Sequence, residues 1–158
     1  MTTRIGDVFS VSLDSGTRKY FQYVANDVTQ LNSDVIRAFK KACSVDTSPG
    51  LSVVTAGEVD FYAHTMVNLG VKMGLWQKVG KVPDIGRVDV LFRNSDDYGD
   101  PKIATSSRWY VWKINEPFVY VGKLEGKQRE AEIGIVLNPR DVVERLRTGK
   151  YDFVYPGY

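Results

Sequence analysis

His64 is the only histidine in the chain and Cys43 the only cysteine. The side chains that most often serve as general base and nucleophile therefore occur once each. Catalysis of the Ser-His or Cys-His kind needs a positioned partner and an orienting carboxylate, and neither stands at motif spacing around Ala63-His64-Thr65. His64 reads as a structural histidine on a strand, and the chain is expected not to be an enzyme. One histidine with one cysteine is too little for a usual zinc site, and a lone cysteine permits no intrachain disulfide. Gly122-Lys123-Leu124-Glu125-Gly126-Lys127-Gln128 has three residues between its glycines where a phosphate loop has four, and Gln128 stands where that loop needs a hydroxyl. A hairpin turn is expected there, and no cofactor.

Two clusters suit recognition better than catalysis. Asp96, Asp97 and Asp100 lie in Asn94–Pro101, the most polar loop of the sequence. They lack the regular ligand ladder and closing glutamate of a calcium loop, so the loop reads as solvated, with an acidic tip around Tyr98 that suits a basic protein. Trp109, Tyr110, Trp112, Phe118 and Tyr120 form an aromatic group. A base-stacking platform would want clustered lysine and arginine beside it. Strand alternation sends about half of such rings to the core, leaving Tyr110 and Trp112 as exposed anchors of the type enriched at protein interfaces. The candidate partner-binding residues are thus Asp96, Asp97, Tyr98, Asp100, Tyr110 and Trp112.

The elements that must position them are mostly strands. Phe9, Val11 and Leu13 alternate with Ser10 and Ser12, Asp14-Ser15-Gly16 has turn chemistry, and Phe21 and Tyr23 resume the alternation, which predicts a hairpin over residues 6–24 with Phe9, Val11 and Phe21 buried. Residues 33–43 are ambiguous. Val35, Phe39 and Cys43 have helical spacing behind Ser33, while Val35-Ile36 with Phe39 suits a strand, the preferred reading. Ser48-Pro49-Gly50 marks a loop, Val59–Met66 a strand through His64, and Gly70, Gly74 and Gly80 argue against a long helix and for short, bent strands. Strands are expected at Val88–Phe92, at Trp109–Ile114 with a hairpin return through Phe118–Val121, and at Ala131–Leu137. One helix is clear: Asn138 can cap it, Pro139 suits its first turn, Asp141 complements its positive end and Gly149 ends it.

At 158 residues the chain fits one domain, 1–158, with no internal repeat or linker. The 21 basic and 19 acidic residues leave a net charge of +2, far from the one-sign field of a general nucleic-acid binder. The single cysteine, an N-terminus without an apolar core and the lack of any long apolar run predict a cytoplasmic protein with no membrane contact.

Gly6-Asp7-Val8-Phe9, the glycine turn, the aromatic return strand and Leu75-Trp76-Gln77-Lys78-Val79-Gly80 together resemble the immunity protein 26 family, bacterial antidotes to polymorphic toxins. The resemblance covers the first hundred residues best. It implies a mainly β protein that neutralises a cognate toxin by binding it, without catalysis, and it carries no functional residue across. The expectation is an α+β domain built on an antiparallel, strongly bent sheet or small barrel with a C-terminal helix, acting as a stoichiometric toxin inhibitor. The alternative is a small β-barrel module that binds a nucleic acid or small ligand.

Overall fold

Alternation places the first two strands against each other. In the computed structural model, which describes residues 2–14 and 16–158, β1 (Asp7–Ser12) and β2 (Thr17–Asp27) form an antiparallel hairpin with Phe9 opposite Phe21. Phe9, Val11 and Phe21 are fully buried. Gly16 takes φ +74 in the turn; Ser15, also expected there, lies outside the described residues. The ambiguous segment is a strand, β3 (Ser33–Phe39), antiparallel to β2. Pairing on both sides by β2 and β5 (Val59–Thr65) lets the β-branched pair Val35-Ile36 bury fully, which a lone amphipathic helix there would not.

Between these lie β4 (Cys43–Ser44) and a short helix α1 (Leu51–Thr55). After β5 come a second short helix, α2 (Val67–Lys72), and β6 (Gln77–Lys81). The glycine argument missed α2 because Gly70 is not a break there: the Trp76 indole packs onto it, and an added Cβ would sit 1.9 Å from that ring. Then follow β7 (Leu91–Ser95), three residues later than the expected start, β8 (Trp109–Lys113) and β9 (Val119–Gly122), the last two forming the expected hairpin.

Two expectations for the following segment are corrected. Gly122–Gln128 is not a hairpin turn. Glu125 caps a 3-10 turn over Gly126–Glu130 in a reciprocal box with Gln128, and the chain then crosses to the far edge of its sheet. The single strand expected at Ala131–Leu137 is two: β10 (Glu132–Ile133), parallel to β7, and β11 (Val136–Leu137), parallel to β5. Gly134 divides them where the backbone runs against Trp112, leaving 2.3 Å for any Cβ. Helix α3 (Pro139–Thr148) closes as expected, with Asn138 Oδ1 accepting from Arg140 N and Gly149 in the left-handed region at φ +86.

The result is α+β, with two open, bent, mixed sheets in the order β11-β5-β3-β2-β1-β6, with β4 beside β2, and β10-β7-β8-β9. All neighbours are antiparallel except the pairs made by β10 and β11. One face of the larger sheet carries the main core, where Phe9, Phe21, Ile36 and Phe61 meet Trp76, Val142 and Leu146. Its other face carries two smaller clusters. Val8, Tyr20 and Phe39 pack with Leu51 and Val54 of α1, while Val24 and Val35 meet Phe92 and Trp112 of the smaller sheet. Among the described residues no helix is long and apolar enough to cross a membrane.

The segments that carry the family resemblance adjoin in space. β1 pairs with β6, so Val8 lies opposite Gly80 and Phe9 opposite Lys78. The buried Asp7 carboxylate pairs with the Lys78 ammonium at 3.0 Å and accepts Arg4 N at 2.8 Å, and Trp76 stands edge-on to Phe21 at 5.0 Å.

Candidate functional site

Strand register gathers most of the expected recognition residues. Tyr110 lies opposite both Asn94 and Tyr120 across β7, β8 and β9, so the three side chains form one row on one face of the smaller sheet. Trp112 shares that face two residues on, and there the face is covered by the larger sheet. Beyond it the row runs out into solvent. Phe118 stands edge-on to Trp112 at 4.7 Å and Tyr120 edge-on to Tyr110 at 5.1 Å. Asn94, Ser95, Asp96, Tyr110 and Phe118 line a depression of about 350 Å³.

Phe118, just before β9, and Val119 and Tyr120 within it are 47%, 54% and 57% exposed; Phe118 and Tyr120 share the Tyr110 face, Val119 lies opposite Val111 on the other, and among the described residues the outer side of β9 is unpaired. A second exposed apolar segment abuts this one. In the β2–β3 connection, Val28 N donates to Asn115 Oδ1 at 2.8 Å and Thr29 Oγ1 to the Glu116 carbonyl at 2.8 Å. Val28 is 72% exposed and Leu31, at the tip of that connection, 82%. Leu31 and Asn32 both have positive φ, 59 and 52. Asparagine tolerates that conformation and leucine does not favour it.

The acidic residues divide. Asp96 is exposed and its Oδ2 accepts the Tyr110 hydroxyl at 3.1 Å. That bond raises the Tyr110 hydroxyl above its ordinary value, and Arg108 reaches the same carboxylate oxygen at 3.5 Å. Asp97 is half-buried, its carboxyl held below the ordinary range first by the Ser106 hydroxyl. Asp100 Oδ1 caps a turn by accepting Lys102 N at 2.9 Å, and Tyr98 lies exposed with its ring 5.9 Å from Tyr155. Trp112 must be corrected. It is 2% exposed and so is no surface anchor; Phe118 and Tyr120 take the place expected of it.

The partner of Trp112 is a buried polar centre that sequence spacing does not reveal. Asp27, at the end of β2, is fully buried. Its Oδ2 accepts Trp112 Nε1 at 2.9 Å and stands 2.8 Å from His64 Nε2, and its Oδ1 accepts Asn115 N at 3.0 Å and Thr29 N at 3.1 Å. Burial alone would raise the Asp27 carboxyl, but the bonds from Asn115, His64 and Trp112 outweigh it and hold the group below its ordinary value. Burial likewise holds His64 low, offset only in part by Asp27. The pair is therefore a carboxylate accepting from a neutral, Nε2-protonated imidazole. Its donors come from β5, β8 and two connections, so the group ties the two sheets together. With both side chains sealed from solvent it has no route to a substrate. Among the described residues, no group of three or more histidine, cysteine, aspartate or glutamate side chains converges on a metal-sized space.

Comparison with family models, with curated proteins and with solved structures finds no match to this chain.

Proposed function

We propose that the chain is an immunity protein of the kind its Gly6–Phe9 and Leu75–Gly80 segments resemble: a one-to-one binder that occludes a cognate bacterial toxin. The reading is supported above all by the exposed aromatic pair Phe118 and Tyr120 at the free edge of the smaller sheet, beside Tyr110, since adjoining exposed apolar side chains of this size mark interaction surfaces. Aromatic anchors of this type carry most of the energy where two proteins meet. Asp96 and Asp100 at the rim suit a basic partner face, and Val28 and Leu31 extend the apolar area. A stable complex normally buries about 1,200–2,000 Å² in total, more than β9 alone offers, so the contact takes in the β2–β3 connection and the acidic loop.

The test is co-expression with the toxin encoded beside it, followed by titration of purified components. Toxicity is expected to vanish near one equivalent, and Phe118→Ala with Tyr120→Ala to weaken binding by about 2 kcal/mol or more while leaving the melting temperature unchanged. Complete silencing by a small fraction of an equivalent would overturn occlusion, and full affinity in the double variant would remove this face from the contact.

A further inference from the structure

The larger sheet bears a polar row where its second face should be apolar. Gln22 lies opposite Arg37, and Arg37 opposite Tyr62, across β2, β3 and β5. On either side of this row the same face is closed by an apolar cluster, one under α1 and one under the smaller sheet. The row itself is left open as the floor of a depression of about 420 Å³, walled by Ser52 and Thr55 of α1 and by the Asp84–Arg87 connection. That is the size of a small-molecule site.

Two features of the floor are incomplete. Arg37 is 7% exposed, yet among the described residues no carboxylate lies within ion-pair distance of it. It donates to Tyr62 Oη at 3.0 Å, to the Ile85 carbonyl at 2.8 Å and to the Arg87 carbonyl at 2.9 Å, one bond from each nitrogen. An N–H on each terminal nitrogen remains, and the charge has no counter-ion, only neutral acceptors and the Tyr62 ring 5.5 Å away. A buried charge is normally paired, since leaving it alone in a low dielectric is costly. Gln22, fully buried beside it, spends its amide nitrogen on the Val82 carbonyl at 2.8 Å, and its Oε1 has no partner. One group therefore lacks an anion and its neighbour lacks a donor. Arg87, with a side chain 86% exposed and ion-paired to Asp89 at 3.0 Å, stands as a second cation at the rim.

We propose that this depression binds a small molecule carrying an oxyanion, a phosphate monoester or a carboxylate, next to a hydroxyl or amino group. Arg37 neutralises the oxyanion, the Tyr62 hydroxyl, already accepting from Arg37, donates to it, and Gln22 Oε1 accepts from the neighbouring hydroxyl or amine. The site shares no residue with the proposed docking face.

A matched set of probes tests this on the full chain by calorimetric titration at constant ionic strength, which cancels non-specific attraction. The probes are glucose 6-phosphate, gluconate and glucose. At least one of the two anions is expected to bind saturably at millimolar concentration or below, with the tighter one naming the oxyanion, and glucose not to bind. Arg37→Met removes the central cation but bears on the fold, so the deciding variants sit at the rim: Arg87→Ala and Ser52→Glu on exposed positions, with Tyr62→Phe removing one hydroxyl. Arg87→Ala, by losing a cation, and Ser52→Glu, by adding a like charge, are each expected to weaken the anion by about tenfold without moving the melting temperature in the absence of ligand; Tyr62→Phe is expected to weaken it similarly and to lower the melting temperature, because Arg37 Nε loses its acceptor. Failure of both anions to bind, equal binding of glucose, or wild-type affinity in all three of these variants would overturn the proposal.

Discussion

Asp27 ties distant parts of the molecule together, because its donors belong to segments far apart in the chain. Asp27→Ala would leave those neutral donors buried without an acceptor, and the expected loss is about 3–5 kcal/mol, several unsatisfied donors at about 1–3 kcal/mol each with partial relaxation; an equilibrium urea titration measures it. Acid should act on the same centre in two stages. His64 is held below its ordinary value in the folded state, so its contribution is complete above about pH 6.5, the unfolded value, and falls away as the pH drops below it. Asp27, also held low, loses its contribution at still lower pH. The urea midpoint should thus decline from about pH 6.5 downward, and His64→Gln should flatten that decline while retaining partner binding. An unchanged slope in that variant would assign the effect elsewhere. The structural role of His64 was legible, since no chemical partner stood at motif spacing. Its partner was not, because Asp27 is 37 residues away and a buried carboxylate in a polar stretch looks like any solvated one. Leu31 offers the reverse lesson. Glycine there would relieve the left-handed backbone at φ 59, so Leu31→Gly should hold or raise stability and, if the β2–β3 connection joins the contact, weaken partner binding; unchanged affinity would confine the contact to β9 and the acidic loop.

At the level of elements, the hairpin, β8 with β9 and α3 could be read because alternation, capping and turn residues agree with one another there, whereas in β3 helical spacing and β-branched pairing conflict and the strand is only the preferred reading. Asn138→Ala should cost about 1 kcal/mol through the lost bond to Arg140 N, seen as a lower urea midpoint. What could not be read were elements decided by contacts from afar. α2 exists because Gly70 receives the Trp76 ring, and β10 separates from β11 because Gly134 receives Trp112. Gly70→Ala is accordingly expected to cost about 1–3 kcal/mol, toward the upper end since the obstructing atom belongs to a buried ring. Gly74→Ala, with open space around a φ of +72, should cost only the backbone penalty of about 1–2 kcal/mol. Reversal of that order in thermal melts would show that the α2 backbone gives way more readily than the packing suggests.

Across the whole molecule, composition and charge bounded the class but left the second sheet invisible, and with it the reason Trp112 is sealed while Tyr110 is not. A strand that alternates has two faces, and which one meets solvent depends on how far the opposite sheet reaches. For the same reason the row Gln22-Arg37-Tyr62 cannot be found by spacing: register, not sequence distance, aligns it. The parallel pairings of β10 and β11 have a consequence for the making of the protein. The larger sheet gains its last strand only when Val136 meets His64 and the Leu137 carbonyl accepts the Thr65 hydroxyl, 72 residues earlier. On the ribosome the strands through β9 would emerge without that seam, with the sheet edge at β5 still open. A chain interrupted before residue 137 should stay protease-sensitive while nascent, so protease resistance should appear abruptly once the last strand and helix are free to pack.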